Sequence, residues 1–208
     1  MIPVATLALF FAASIALALS PGPDNIFVLT QSALHGRSAG LLVTLGLCTG
    51  LLVHTTAVSL GVAAIFQTST LAFTALKFVG AAYLIYLAWK SFGAGASAIG
   101  AQASPRPTNA ALYARGIVMN VTNPKVAIFF LAFLPQFTDP ARGSLTLQML
   151  QLGGLFMLAT LLIFGGIAWC AGYLGEWLKR SDRAQRVINR VAGGIFLLLA
   201  LRLAISTR

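Results

Sequence analysis

Asp24 and Lys125 are ionisable side chains whose surroundings demand a chemical reason. Each stands inside an otherwise apolar stretch, in "SPGPDN" (20–25) and "NVTNPK" (120–125). A carboxylate can hold a proton or an ammonium group, and an ammonium can hold a carboxylate. The amides of Asn25, Asn120 and Asn123 stand beside them as adaptable donors and acceptors. Proline removes a backbone donor and clashes with the preceding turn. Pro21, Gly22 and Pro23 therefore break one helix and free carbonyls upstream of it, and Pro124 breaks another and frees a carbonyl near Asn120. Lys125 comes ten residues after Arg115, which is about 15 Å of helix. A charge at such depth costs about 2.5 to 3.5 kcal/mol on insertion scales. Asp24 lies closer to the loop at Gly36. Lys77, about 10 Å into its own segment, is either an anchor that snorkels outward or a site residue. His54, in "GLLVHTTAV", has no HxxxH partner and is a structural or pore-lining candidate.

The elements that position these residues are membrane helices. The chain is 58% hydrophobic and 9% charged, with a mean hydropathy of +0.88, too apolar for a soluble domain. With roughly 20 apolar residues needed per span, six segments are predicted: 3 to 33, 40 to 66, 70 to 91, 115 to 137, 145 to 174 and 187 to 205. The first is too long for one straight helix and breaks at 21–25, continuing as "IFVLTQSAL". The fourth breaks at 120–125. Between the third and fourth runs a Gly-, Ala- and Ser-rich stretch ending in "PRPTNA", predicted as a flexible cytoplasmic linker over 93–114. It separates a half at 1–92 from a half at 115–208. With three segments per half, the second enters the membrane from the opposite side, so an all-α integral membrane protein with a 3+3 inverted repeat is expected.

Charge sets the orientation. With the N-terminus outside, the inner connections hold Arg37, Lys90, Arg106, Arg115, Lys179, Arg180, Arg183, Arg186 and Arg190, against Arg142, Arg202 and Arg208 outside. The positive-inside rule then puts both termini outside. The net charge of +10 is a topology signal, so no nucleic-acid partner is implied; the partner is the lipid bilayer. Nothing basic precedes the first apolar run, which argues against a cleaved signal peptide ending at "LALS". Cys48 and Cys170 are expected as buried, inert thiols, and Glu176 as a solvated ion pair with Lys179 or Arg180. Gly46 and Gly50 in "GLCTG" have the GxxxG spacing that lets helices approach closely, and Trp89 and Trp169 fit interfacial anchors. No metal-ligand cluster and no cofactor motif stands out.

Taken together, "SPGPDNIFVLTQSALHGRSAGLLVTLGLCTG", "LKFVGAAYLIYLAWKS", "NPKVAIFFLAFLPQF" and "INRVAGGIFLLLALRLA" resemble the lysine exporter (LysE/RhtB) family of bacterial amino-acid efflux transporters over essentially the whole chain. One departure is Ser38 in "GRSAGL", where many relatives have a second basic residue. The resemblance implies export of amino acids or close derivatives across the cytoplasmic (inner) membrane, driven by proton antiport. Substrates across the family include basic amino acids, homoserine and its lactone, threonine and leucine. The assembly is left open, a homodimer included.

On the residues, alternating access between the two halves is expected. A broken helix offers backbone donors to a substrate carboxylate and freed carbonyls to its ammonium. Asp24 is the proton-coupling candidate, while Lys125 faces the substrate carboxylate or holds Asp24 between cycles. Two rival classes are an intramembrane enzyme, which needs a nucleophile with its base or clustered ligands, and a passive channel, which commonly relies on rings from several subunits.

Overall fold

The computed structural model describes residues 2–20, 22–68, 70–93, 106–180 and 182–205. Pro21, the centre of the linker at 94–105, and the side chains of Lys77, Glu176, Lys179 and Arg180 lie outside the described residues. Every regular element among the described residues is helical.

In chain order, α1 (Val4–Leu19) and α2 (Pro23–His35) flank the first break, followed by α3 (Arg37–Thr68) and α4 (Thr70–Gly93). Beyond the linker, α5 (Asn109–Val121) and α6 (Pro124–Ile128) flank the second break, and α6 runs on through a π-helical turn (Phe129–Phe133) and a 3-10 turn (Leu134–Phe137). A further short turn, Pro140–Arg142, leads into α7 (Leu145–Arg180), and α8 (Asp182–Ile205) ends the described chain.

Local chemistry sets these boundaries. Thr108 caps α5, its side chain accepting from Ala111 N at 3.2 Å, so this helix begins at Asn109, six residues before the expected start at 115. Pro23 and Pro124 sit in the first turns of α2 and α6, where a missing N–H costs nothing. Gly36 ends α2 with φ 86°, a conformation that suits glycine. Pro135 lacks the N–H that would bond four residues back. The π turn closes just before it, with Leu134 N–H on Phe129 O.

Arg37–Gly61 and Leu145–Ala171 are long and apolar enough to cross a membrane singly. The pairs α1 with α2, bent by 63°, and α5 with the helix to Phe137, bent by 48°, qualify as broken spans. That makes two to four candidate spans among the described residues.

The packing is centred on α3, which lies against α5 and α7, while α4 lies along α8 and both α1 and α2 rest on α7. Around the far end of α6 the core is aromatic: Phe10, Phe129, Phe130, Phe133, Phe137, Phe156 and Phe196 are all buried. A second cluster, Val28, Val43, Leu47, Leu112 and Phe164, fills the space between α2, α3, α5 and α7.

The α3–α5 crossing is built from small residues. A Cβ on Gly46 would run into the carbonyl of Tyr113 and the Cα of Gly116, and one on Gly116 would meet the carbonyl of Val43. One turn further on, Gly50 makes room for Asn120. Backbones therefore touch where side chains would otherwise stand.

Cys48 is only half-buried and Cys170 is exposed, which corrects the expectation that both are buried. Cys170 sits beside Trp169, itself 64% exposed, on the outward face of α7. In a membrane helix the lipid-facing side is as apolar as the core, so an apolar neighbourhood does not imply burial.

Replacing Gly46 or Gly116 with Leu should push two backbones apart, since neither carbonyl can yield. Overpacking of this kind costs about 1 to 3 kcal/mol or more. A thermal melt in detergent should show a fall of several degrees, or no folded protein at all. Gly154→Leu, at a position with open space around it, should melt like the unmodified chain.

Candidate functional site

The two breaks meet. Asn123, at the N-cap of α6, donates from Nδ2 to Asp24 Oδ2 at 2.8 Å, and its Oδ1 accepts the N–H of Lys125 at 3.0 Å. The amide is thus used at both ends, and its orientation is fixed because only Nδ2 can donate to a carboxylate. Asp24 stands in the first turn of α2, the positive end of that helix dipole. It is 3% exposed, and Asn120 and Asn123 are similarly buried.

The severed end of α1 is satisfied by side chains from elsewhere. Lys125 Nζ donates to Leu17 O at 3.1 Å and Ser20 O at 3.0 Å. Asn25 Nδ2 donates to Ala18 O at 2.6 Å. Leu17 is four residues before Pro21, so its carbonyl is the one a proline at 21 deprives of its helical donor. The ammonium of Lys125 lies beyond ion-pair distance (4.0 Å) from the Asp24 carboxylate; the one ion pair among the described residues is Arg142 with Asp139.

Asn120 O, the carbonyl four residues before Pro124, accepts from Asn123 N at 3.0 Å and pairs with His54 Nε2 at 3.1 Å. A carbonyl is acceptor only, so the Nε2 of His54 carries the proton in this contact. His54 also stands over Phe130, ring centroids 5.8 Å apart. The imidazole of α3 thereby reaches the second break directly.

At the two breaks, three buried side-chain oxygens have no hydrogen-bond partner among the described residues: Asp24 Oδ1, Asn25 Oδ1 and Asn120 Oδ1. All are acceptors. Buried acceptors left unmatched cost roughly 1 to 3 kcal/mol each, and the group that suits them is a donor, such as a proton on the carboxylate or a substrate ammonium.

Of the residues singled out from the sequence, Gly22, Asp24, Asn25, Asn123 and Lys125 come together in one place. Pro23 and Pro124 open the two helices there, and Asn120 and His54 adjoin. Pro21 and the Lys77 side chain lie outside the described residues. Two features escaped the sequence reading. One is the pairing of Lys125 with α1 carbonyls, which the proline rule foreshadows by naming Leu17 as a freed acceptor. The other is the aromatic column beyond the break, foreshadowed by the run "IFFLAFLPQF". In it His54 meets Phe130, Phe130 meets Phe129, Phe129 meets Phe133 at 4.7 Å and Phe133 meets Phe137 at 4.8 Å. Phe137 in turn lines a 240 Å³ cavity with Ile2, Thr6, Asp139, Arg142 and Gln148.

Nothing among the described residues groups three His, Cys, Asp or Glu side chains as a metal site would. A carboxylate, an ammonium and amides set at two helix breaks can hold a charged or zwitterionic solute and exchange a proton.

Comparison with known proteins agrees in kind. The homoserine/homoserine lactone efflux protein of Salmonella typhimurium is 36% identical over 191 residues, 90% of either chain. An uncharacterized membrane protein of Bacillus subtilis is 30% identical over 195 residues, 89% of this chain and 92% of its own. The leucine efflux protein of Enterobacter sp. (strain 638) is 29% identical over 190 residues, 89% of each. No solved structure matches. The LysE type translocator pattern covers residues 15–207, and on that match the chain belongs to the LysE type translocator family of membrane transporters.

Proposed function

We propose that the chain is a secondary exporter of amino acids or close derivatives, working by proton antiport and alternating access around the paired breaks. The observation that carries this is the Asp24–Asn123 hydrogen bond, 99 residues apart in sequence, with a second Asp24 oxygen buried and unmatched. Two relatives named for efflux of homoserine, its lactone and leucine support a small amino-acid substrate.

The chemistry follows from the acceptors and donors at the site. From the inner side, a zwitterion offers its ammonium to Asp24 Oδ1 and the unmatched amide oxygens. Its carboxylate is met by the N-terminal end of α2, where backbone donors and the helix dipole favour an anion. On the outer side, a proton taken up by Asp24 neutralises the carboxylate and releases the ammonium. Return of the protonated site to the inner side delivers the proton inward, and its loss re-arms the carboxylate. Asn123 holds the other Asp24 oxygen throughout, so the carboxylate keeps its place in either state.

The membrane arrangement proposed with this is six spans in a 3+3 inverted repeat, in a bacterial cytoplasmic membrane with both termini outside. The pairing of α3 with α7 and of α4 with α8 supports it, since these are corresponding helices of the two halves, as does the bias of nine basic residues to three. In this orientation the aromatic column separates the break from the cavity at Phe137. The structure is then closed toward the outside.

Asp24→Asn should abolish export driven by a pH gradient in proteoliposomes while exchange of labelled for unlabelled substrate continues. A charge-assisted contact is worth about 1.5 to 3 kcal/mol, so the gradient-driven rate should fall by about tenfold or more. Gradient-driven efflux at the unmodified rate would remove Asp24 from this role. A panel of labelled amino acids in the same vesicles, with and without the gradient, identifies the cargo, and accumulation against a concentration gradient excludes a passive channel.

Asn123→Ala should cost stability as well as transport, because it removes both the cap of α6 and the donor to Asp24. Lost caps cost about 1 kcal/mol and an unpaired buried acceptor about 1 to 3. The expected result is a melting temperature in detergent lower by about 5 °C or more.

A further inference from the structure

We propose that the last turn of α1 is a monovalent-cation site, and that this chain fills it with a tethered ammonium, Lys125 Nζ, delivered from the opposite half. Leu17 O and Ser20 O converge on Nζ at 3.1 and 3.0 Å. Both belong to a helix C-terminus, where carbonyls without helical donors carry partial negative charge. Severed helix ends of this kind coordinate sodium in transporters built on broken helices. Here the coordination is met by a side chain.

Two further observations fit a built site. Gly22 leaves the space the ammonium needs: a Cβ there would stand 3.2 Å from Nζ and 3.8 Å from Cε. Asp24, the nearby carboxylate, takes its hydrogen bond from Asn123 and lies beyond ion-pair distance (4.0 Å) of Lys125. The ammonium is therefore spent on backbone carbonyls, and it clasps α1 to α6 across the two halves. The chemical class that would replace it is a small monovalent cation, sodium or methylammonium. For its bearing on transport the inference rests on the export proposed above, where it means that no free sodium ion is needed to hold the severed end of α1.

The test is a thermal melt of the full chain in detergent at constant ionic strength, with the chloride salt of sodium, methylammonium or choline. The unmodified protein should melt at the same temperature in all three. Lys125→Ala should melt about 5 °C lower or more in choline, too large for the vacated space, and should regain most of that loss in methylammonium or sodium, saturably. Lys125→Met keeps the volume without the charge, and should be lowered in all three salts with no recovery. A Lys125→Ala variant equally unstable in every salt, or a Lys125→Met variant as stable as the unmodified chain, overturns the proposal. If Lys125→Ala yields no folded protein, the unmodified chain still decides: a melting temperature that rises specifically with sodium shows that the end of α1 has room for a free ion, and overturns it too. Melting does not depend on export, so loss of the transport role would leave this outcome unchanged.

Discussion

A helix broken inside lipid must have its loose backbone groups satisfied by protein, since no water in the hydrocarbon can do so. The chain has two broken helices, α1 with α2 and α5 with α6, and the first break is repaired largely from the second. Lys125 caps the carbonyls at the end of α1, and Asn123 takes the carboxylate that begins α2. The second break draws in turn on α3, through His54 and the carbonyl of Asn120. Each break is therefore held by residues far from it in sequence. The polar contacts that repair the backbone also tie distant helices together.

That exchange depends on how closely α3 and α5 approach. With Gly46 against Gly116 and Gly50 against Asn120, the helices cross at backbone contact, and His54, four residues beyond Gly50, comes within reach of the second break. A wider crossing would leave Asn120 O without the imidazole and pull α6 away from α1. The glycine spacing thus acts on the polar site through distance alone. Where small residues meet nothing, as at Gly154, Gly165 and Gly166, no comparable task falls to them.

How much of this was legible in the sequence divides along physical lines. The breaks were legible because proline acts locally: losing an N–H and colliding with the fourth carbonyl back are properties of the residue itself, and they name Leu17 and Asn120 as freed acceptors. The charges were legible because a lone Asp or Lys in an apolar stretch is costly wherever the stretch sits. Which partner each charge would take was not. Lys125 was expected on Asp24 or on the substrate, and it holds carbonyls, because pairing across 108 positions is set by helix crossing rather than by sequence pattern. Burial was equally hidden: Cys170 and Leu198 lie in runs as apolar as those of Leu152 and Leu199, yet they face outward. α5 starts six residues before the expected 115 because Thr108, at the end of the Gly- and Ala-rich stretch, caps it.

The aromatic column gives the broken segment a direction. On the side of α1 and α6 leading to Phe137, the break is followed by buried phenylalanine rings in contact, with Phe10 and Phe156 closing the flanks. A zwitterion moving through rings of this kind would shed its hydration with no polar group to replace it, so movement in that direction requires the rings to part. The helix carrying three of them is π-helical over Phe129–Phe133, a geometry that is rare and frequently found at functional sites. Its ladder lacks a donor at Pro124 and again at Pro135. The same residue type that opens the polar site at one end of α6 thus ends the π turn at the other.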